Sequence, residues 1–411
     1  MTKKYQTISF IQPSRNNLKY LKWSYNSIRK NLGYTHEICM ADDFSDDGTW
    51  EWMQEISEKD INVKCIRNEG PTRLGHTILY DRLINEVATN DVVMIYHADM
   101  YACPRLDEEV LRHIEPGVVV SGTRIEPPLH PDGPEKILKD FGIEPEEFDE
   151  RGLIEFLNTE VMNQYGVGIT TEGIFAPWAI LKSDWDYIGG HDPIFAPQSK
   201  EDSDIFNRFH LAGYKFKQTW GGFVYHMTCR GSRFKDGAMR NPAGQVFMKG
   251  RESSEWLEQN LKSTREFIRK WGHMVKHDKM MKPIVPPKYD VAFVAYNCTK
   301  EMLNELEPWC SKIYLDLRDS DNMTEYKKEE QPKTSTDLDE KMKLYGNSKI
   351  SELHDVCVEF DCNQLNANNF QHLVNLSQII EDSGEVGVSQ LDIFKVYISK
   401  LDTYENELIR L

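Results

Sequence analysis

Three groups of polar residues in the first half of the chain have the types and spacing needed for chemistry on a phosphorylated ligand. The first is Asp99, which follows the apolar run Val92-Val-Met-Ile-Tyr96. Such a run predicts a strand buried on both faces, and parallel sheets bind ligands beyond the carboxyl ends of their strands. A carboxylate there could hold Mg²⁺ or Mn²⁺ against phosphate groups. Alternatively, Asp99 caps the helix predicted to begin near Arg105.

The second group is the acidic turn 41–49, which follows a predicted strand and contains Asp42 and Asp43. These carboxylates could accept hydrogen bonds from the base or ribose of a nucleotide, or they could simply favour the start of a helix. The third group is Glu201 and Asp202, at the predicted start of another helix. A carboxylate there could take the proton of an attacking hydroxyl, or it could be a helix cap.

The elements that must position these groups alternate between strands and helices. Strands are predicted at 7–12, 37–41, 63–66 and 92–96, with helices at 18–31, from 49 onward and at 76–88. Two short strands are predicted at 215–219 and 222–226, and a long helix at 252–275. Strand–helix alternation predicts a parallel sheet with right-handed crossovers. No GxGxxG or Walker sequence follows the first strand, so a Rossmann dinucleotide site or a P-loop is not expected.

Composition and charge restrict the class of protein and its partners. The chain has 411 residues and a formal net charge of −17. That charge repels nucleic acids and anionic membranes, so no general nucleic-acid binding is expected. There is no secretory signal and no apolar run near the ~20 residues of a membrane span, which predicts a cytoplasmic protein. The eight cysteines are scattered without a CxxC pair, which predicts free thiols rather than a zinc site.

Four segments, in this order, resemble the motifs of family-two glycosyltransferases, enzymes with the GT-A fold. They are the first-strand turn 11–17, the acidic turn 41–49, His97-Ala-Asp99 where the family carries DxD, and the stretch 189–214. The resemblance covers about residues 5–235. It implies an α/β fold of the GT-A type, with a doubly wound, mostly parallel sheet and flanking helices.

The expected domain organisation follows from this resemblance and from a proline-rich segment. A GT-A domain is expected at 1–282, with a nucleotide-binding half at about 1–123 and an acceptor half at about 124–282. Prolines cluster at 283–287 and mark a linker. A small α+β domain of unknown role is predicted beyond it, to residue 411.

The resemblance implies a metal-dependent, inverting glycosyltransferase of the hexosyl- or N-acetylhexosaminyl-transferase type. Its donor would be a nucleotide-diphospho-sugar, above all a UDP-sugar, and its cofactor Mn²⁺ or Mg²⁺. The acceptor would be a hydroxyl of a glycan, a lipid-linked compound or a protein. Association of copies through the C-terminal domain is a further expectation.

Position and resemblance together assign roles to individual side chains. The expected catalytic residues are the base Asp202 and its neighbour Glu201. The expected metal ligands are Asp99, His226 and His97. The expected nucleotide contacts are Arg15, Asp42, Asp43, Arg73 and Ala98. Phosphate or acceptor contacts are expected from Arg230, Arg233 and Trp178. His97 replaces the family's first aspartate, and a histidine ligand suits Mn²⁺ better than Mg²⁺.

Two other functions remain open at this level. A nucleotidyltransferase that makes sugar nucleotides would share the doubly wound sheet and the metal carboxylate, but it usually needs a glycine-rich loop after the first strand, and residues 12–17 contain no glycine. A non-catalytic GT-A-like binding or assembly module is favoured only by His97 in place of aspartate. The pair Asp204 and Arg208, four residues apart, is expected to serve the helix itself.

Overall fold

The computed structural model describes residues 5–33, 35–228, 237–248, 252–346 and 353–411. The chain forms two compact units. The first comprises Met1–Gln259, His277–Ile284 and Arg410–Leu411, and the second comprises Asn260–Lys276 and Val285–Ile409. Within the described stretches, no helix is both long enough and apolar enough to cross a membrane.

The first unit is built on a mixed ten-stranded sheet. Its strands are β1 (Ser9–Ser14), β2 (Glu37–Asp43), β3 (Val63–Asn68), β4 (Val92–Ile95), β5 (Met100–Ala102), β6 (Val118–Glu126), β7 (Lys136–Leu138), β8 (Thr170–Thr171), β9 (Trp178–Leu181) and β10 (Lys215–His226). They are ordered β3-β2-β1-β4-β9-β6-β10-β5, with β7 beside β6 and β8 beside β10. Strands β1 to β4 are parallel, as are β6 and β10, whereas β9 and β5 are antiparallel to their neighbours. A separate hairpin consists of β11 (Ala238–Arg240) and β12 (Val246–Met248).

Helices connect and flank these strands. They are α1 (Leu18–Asn31), α2 (Thr49–Lys59), α3 (Gly75–Arg82), α4 (Leu106–His113), α5 (Glu150–Phe156), α6 (Met162–Gln164), α7 (Lys182–Ile188), α8 (Glu201–Leu211) and α9 (Ser254–Trp271). In α9, the residues from Asn260 onward belong to the second unit. The predicted α/β class, with a mostly parallel sheet and flanking helices, is confirmed.

Helix α1 shows why the sequence predicts these elements well. Leu21, Tyr25 and Ile28 recur at helical spacing, and all three are buried. Arg29 and Lys30 lie in the last turn, where positive charge complements the helix dipole. Pattern and end signals agree, so the observed helix matches the predicted range 18–31.

The carboxyl ends of the parallel strands form one polar edge. Ser14 of β1 is paired in register with Asp42 of β2, and Asp42 is paired with Arg67 of β3. On the other side of β1, Ile11 is paired with Ile95, the last residue of β4. The segments that follow these strands therefore begin side by side, as the placement of the polar groups requires.

Strand β10 differs from the two short strands predicted at 215–219 and 222–226. It is one strand whose register against β6 shifts between Thr219 and Phe223. Gly221 and Gly222 occupy this irregularity, and a Cβ on Gly221 would lie 2.5 Å from a carboxylate oxygen of Glu109. Glycine lets the strand bulge without ending, whereas the sequence pattern suggested a break.

The second unit has its own six-stranded sheet. Its strands are β13 (Val291–Tyr296), β14 (Lys312–Leu315), β15 (Met342–Leu344), β16 (Val356–Asp361), β17 (Gly387–Leu391) and β18 (Phe394–Ile398), ordered β15-β14-β13-β16-β18-β17. The first four in that order are parallel, and β18 and β17 are antiparallel. Its further helices are α10 (Lys300–Leu306), α11 (Ser320–Glu330), α12 (Leu338–Lys341), α13 (Ala367–Val374), α14 (Leu376–Ser383) and α15 (Glu405–Leu408).

Helix α11 lies in a polar stretch of the chain in which hydrophobic periodicity predicts no helix. Lys300 forms ion pairs with Glu325 and Glu329 on its outer side. On its inner side, Tyr326 and Glu330 are buried. Charged contacts supplement the few apolar ones of Met323 and Tyr326, so hydrophobic periodicity alone could not detect this helix.

The described cysteines are free thiols, as predicted. They are Cys39, Cys65, Cys103, Cys298, Cys310, Cys357 and Cys362, and all but Cys65 are buried. Cys229 lies outside the described residues.

Candidate active site

The candidate metal centre is assembled by the pairing of β10 with two other strands. Asp99 lies between the end of β4 and the start of β5, and β5 is antiparallel to β10, with Met100 opposite His226. The backbone N–H of Met227 donates to the carbonyl of Asp99, at 3.1 Å. This strand pairing places His226 beside Asp99. Asp99 is not a helix cap, since Arg105 occupies the N-cap position of α4.

Three side chains converge at this point. One ligand atom from each of His97, Asp99 and His226 lies within 4.8 Å of the other two. Nε2 of His226 is 3.3 Å from Oδ1 of Asp99, and the two imidazole rings are 5.5 Å apart between centroids. Two imidazole nitrogens and one carboxylate oxygen at this spacing fit a divalent cation such as Mn²⁺. The structure therefore brings all three predicted metal ligands together.

The charges around His226 are strongly coupled. Its Nδ1 is 2.8 Å from Oε1 of Glu126, which is itself buried. Burial alone would lower the pKa of His226, but Asp99 and Glu126 together raise it to about 9. Burial would raise the pKa of Asp99, but the neighbouring His226 holds it below its usual range.

His97 lies in a different electrostatic environment. Burial is the main cause that lowers the pKa of His97 to about 4, and the nearby His226 is the second cause. Its imidazole is therefore neutral near pH 7, with a nitrogen lone pair to offer. A neutral imidazole is the form that binds metals, so His226, whose raised pKa favours the imidazolium, would release a proton when a cation binds.

The candidate base lies at the first turn of α8. The preceding residues, Ser199 and Lys200, have φ angles of 81° and 74°, in the left-handed region that non-glycine residues avoid. Such strain persists only where the surrounding structure fixes it, and it is common at functional sites. Glu201 is buried, and its Oε1 is 2.7 Å from Nε2 of His76 on α3.

Asp202 follows Glu201 and is left open. Its carboxylate makes no hydrogen bond or ion pair with any residue that the structure describes. Burial and the adjacent Glu201 raise the pKa of Asp202 to about 6. Burial raises the pKa of the Tyr80 hydroxyl, and the charges of Asp202, Glu201 and Asp99 raise it further, so Tyr80 is within electrostatic reach of both the candidate base and the candidate metal centre.

The remainder of α8 has a structural role. Asp204 and Arg208 are fully buried and form an ion pair at 2.9 Å. Arg208 also donates to the carbonyls of Ile188 and Gly190, at 3.0 and 2.5 Å. The predicted i,i+4 pair is confirmed, and it anchors the helix that carries Asp202.

The first two carboxylates of the acidic turn, Asp42 and Asp43, are buried and hydrogen-bonded within the protein. Asp42 accepts from the backbone N–H of Ser45 and pairs with Arg67 at 3.1 Å. Burial is the main reason that the pKa of Asp42 is raised.

Asp43 holds the segment before α3 in place. It accepts from the backbone N–H groups of Leu74 and Gly75, each at 2.9 Å, and from the side-chain amide of Asn68 at 2.8 Å. Its oxygens are thus committed to the loop that presents Arg73.

Arg73 and Arg15 lie near this turn. Arg73 is 3.4 Å from Asp43 and donates to Gln198 at 2.9 Å. Burial lowers the pKa of Arg73, Asp43 raises it and the nearby Arg15 lowers it. Arg15 is exposed. Two guanidinium groups therefore lie at the edge where the phosphates of a nucleotide would be expected.

Other expected contacts are placed differently. Trp178 has no exposed surface; it packs against Trp185 and Phe206 in the core and offers no face to an acceptor. A bulky aromatic in an apolar strand is core more often than it is a ligand contact. Ala98, which lies between His97 and Asp99 in the chain, is buried. Arg230 and Arg233 lie outside the described residues.

Two residues near the site were missed by the sequence reasoning. Glu126 contacts His226 and follows Arg124 by two positions on β6. Arg124 and Glu126 carry opposite charges at alternate positions of a largely apolar strand, a pattern that could have indicated a buried ion pair. His76 contacts Glu201 from 125 positions away, and no local pattern announces such a contact.

Comparison with known proteins agrees with the motifs. Residues 9–165 match the model of the family described as glycosyl transferase family 2. The dolichol-phosphate mannosyltransferase of Pyrococcus furiosus is 32% identical over 111 residues, which are 27% of this chain and 30% of that protein. The chain thus spans less than a third of that relative's length.

Two solved structures are similar at low identity. GalNAc-T7 with UDP, GalNAc and Mn²⁺ has a TM-score of 0.41 and 14% identity over 54% of this chain and 43% of that one. The mannosyltransferase PcManGT of Pyrobaculum calidifontis, in complex with GDP-Man and Mn²⁺, has a TM-score of 0.38 and 16% identity over 54% of this chain and 57% of its own.

The family match includes the acidic turn, His97 and Asp99, whereas Asp202 and His226 follow it along the chain. The resemblance to family-two glycosyltransferases is thereby confirmed: residues 9–165 match the model of glycosyl transferase family 2.

Proposed function

We propose that this chain is a metal-dependent glycosyltransferase that moves a sugar from a nucleotide-diphospho-sugar to an acceptor hydroxyl, with inversion at the anomeric carbon. The observation that carries the proposal is the convergence of His97, Asp99 and His226. The open carboxylate of Asp202 supports it, because the charges of Asp202 and Asp99 both raise the pKa of Tyr80. A sugar nucleotide needs a cation at its diphosphate and a base at the acceptor, and these groups could supply both.

The metal preference follows from the donor atoms. His97 and His226 offer nitrogen, and Asp99 offers oxygen. Mg²⁺ prefers an all-oxygen shell, whereas Mn²⁺ accepts imidazole more readily. We therefore assign Mn²⁺ as the preferred cation. When bound, it would stabilise the negative charge that develops on the departing diphosphate.

Asp202 acts as the general base in this proposal. As the acceptor oxygen attacks the anomeric carbon, its proton passes to Asp202. The new carbon–oxygen bond forms on one face of the sugar while the bond to the diphosphate breaks on the other. The bonding electrons leave with the nucleoside diphosphate, so charge and protons balance. A pKa of about 6 leaves Asp202 ionised at pH 7 and able to accept.

The neighbours of these groups would orient the reactants. Glu201, held by His76, lies beside Asp202 and could accept a second hydroxyl of the acceptor. Arg73 and Arg15 are suited to the diphosphate or the base of the donor. A UDP-sugar is the first donor to test, and the acceptor would be a glycan, a lipid-linked compound or a protein.

Thermal shift tests the donor class directly. UDP, GDP and CTP are each added with and without Mn²⁺. We expect a nucleoside diphosphate to raise Tm only when Mn²⁺ is present, since a ligand at 100 times its Kd adds about 2.7 kcal/mol of stability. Asp99→Asn is the matched control and should abolish the shift.

Turnover then separates the reaction classes. A glycosyltransferase slowly hydrolyses its sugar nucleotide and releases a nucleoside diphosphate. Consumption of a nucleoside triphosphate with release of pyrophosphate would instead favour a nucleotidyltransferase. If no nucleotide shifts Tm with Mn²⁺, the proposed function is contradicted.

A further inference from the structure

We propose that Glu126 is a positioning residue that sets the tautomer and the orientation of the metal ligand His226. The inference rests on the proposed function, because it takes His97, Asp99 and His226 as a cation site. Glu126 belongs to none of the motifs that carry the family resemblance.

The sheet places Glu126 directly beside His226. The two residues end the parallel strands β6 and β10, and the preceding residues, Ile125 and Tyr225, are paired in register. Nδ1 of His226 is 2.8 Å from Oε1 of Glu126. Nε2, on the opposite side of the ring, is 3.3 Å from Asp99. One nitrogen therefore faces Glu126 and the other faces the cation site.

The chemistry of a carboxylate fixes which nitrogen carries hydrogen. An ionised carboxylate can only accept, so Nδ1 of His226 must donate to Glu126. In the neutral ring, the lone pair then lies on Nε2 and points toward Asp99. The other tautomer would place N–H at the cation site and block the ligand. Carboxylates that orient histidine ligands in this way are a general feature of metal sites.

Glu126 is held by a buried cluster of charges. Arg124 donates to Oε1 of Glu126 at 3.0 Å and is 3.5 Å from Glu135. Lys136 is 3.6 Å from Oε2 of Glu126. Glu126 is 1% exposed, so its carboxylate is kept in one position. Buried ion pairs seldom add net stability, and this one ends on a candidate ligand, which favours a positioning role.

Mn²⁺ affinity at a fixed pH, measured by the EPR signal of free Mn²⁺, tests the assignment. Glu126→Leu removes the acceptor at similar volume and should weaken Mn²⁺ binding by about 10- to 100-fold. Glu126→Gln keeps an acceptor oxygen and should recover part of the affinity. The control Glu135→Leu removes a charge from the same cluster without touching His226, and it should leave the affinity unchanged.

The results separate the positioning role of Glu126 from the existence of the metal site. If Glu126→Leu binds Mn²⁺ as the unchanged protein does, or if Glu126→Gln binds no better than Glu126→Leu, the positioning role is refuted. If the unchanged protein binds no Mn²⁺, the metal site of the proposed function fails instead.

A second measurement keeps Glu126 unchanged and so does not depend on whether its variants fold. The ¹⁵N spectrum of the imidazole groups is recorded with Zn²⁺ as a diamagnetic probe, and His226→Asn identifies the signal of His226. We expect a proton on Nδ1 and the metal on Nε2. The reverse arrangement would overturn the inference.

Discussion

The two carboxylates of the proposed active site, Asp99 and Asp202, lie in opposite environments. Burial tends to raise both pKa values. At Asp99 the adjacent His226 reverses the effect and keeps the carboxylate ionised. At Asp202 the adjacent Glu201 adds to the effect and brings the pKa to about 6. The same side chain thus becomes a permanent anion in one place and a proton acceptor in the other, because its neighbours differ.

The two regions also differ in how firmly their groups are held. His226 is fixed between Asp99 and Glu126, and Glu126 is fixed by Arg124. A metal ligand needs such fixed geometry. Asp202 has no protein partner among the described residues, which leaves its oxygens open to an acceptor hydroxyl. The metal ligand His226 is therefore held in place before a cation binds, whereas the candidate base Asp202 stays available to the acceptor.

The largest effect is expected from Asp99→Asn. This change removes the anionic ligand at nearly constant volume, so Mn²⁺ should no longer be held and sugar transfer should fall to background. Release of nucleoside diphosphate from the donor is the measurement. Unchanged release with Mn²⁺ present would show that the cation lies elsewhere.

The next largest effect is expected from Asp202→Asn. Loss of a general base costs about 10²- to 10⁴-fold in turnover. Binding of nucleoside diphosphate with Mn²⁺ should persist, because Asp202 contacts neither in this account. Parallel loss of binding would assign Asp202 a structural role and erase the contrast between the two carboxylates.

Asp204 is the internal comparison for Asp202 on the same helix. Asp204→Ala should destabilise the fold by about 3–5 kcal/mol, because it leaves the buried charge of Arg208 without its partner. Urea unfolding measures this loss. If Asp202→Asn destabilises the protein as much, the division of α8 into an anchoring and a reacting part is not supported.

The pH dependence sharpens the assignment of the base. A base works in its deprotonated form, so kcat/KM for transfer should decline by roughly tenfold per pH unit below the pKa of the base. For Asp202 this limb should begin near pH 6 and rise to a plateau above it. A limb near pH 4 would indicate a carboxylate in an ordinary environment.

The smallest effect is expected from His76→Leu. Glu201 would lose its partner, and a hydrogen bond to a charged group contributes about 1.5–3 kcal/mol, equivalent to about 10- to 160-fold in turnover if all of it is lost from the transition state. His76→Gln keeps a donor and should retain most of the activity. Mn²⁺ affinity should be unchanged in both variants. A loss of affinity would mean that the contact between His76 and Glu201 also affects the geometry of the metal ligands.

Local signals explain what could be predicted from the sequence. Asp99 directly follows a short apolar run, and Glu201 and Asp202 stand at the start of a helix, so their positions at element ends were readable. The helix 18–31 carries both an apolar stripe and basic residues in its last turn. These features depend on neighbours along the chain.

Long-range pairing explains what could not be predicted. The contact of His226 with Asp99 and Glu126 depends on the register of β10 against two other strands. Trp178 is core because of the residues that surround it in space, and the oxygens of Asp43 are taken up by a later loop. No periodicity in one segment encodes such partners.

The most direct test of the central claim is a Mn²⁺ titration, followed by EPR, of the unchanged protein, Asp99→Asn and Asp202→Asn. We expect one Mn²⁺ site in the unchanged protein, loss of that site in Asp99→Asn and full retention in Asp202→Asn. Equal binding by all three proteins would contradict the claim that His97, Asp99 and His226 form the metal site.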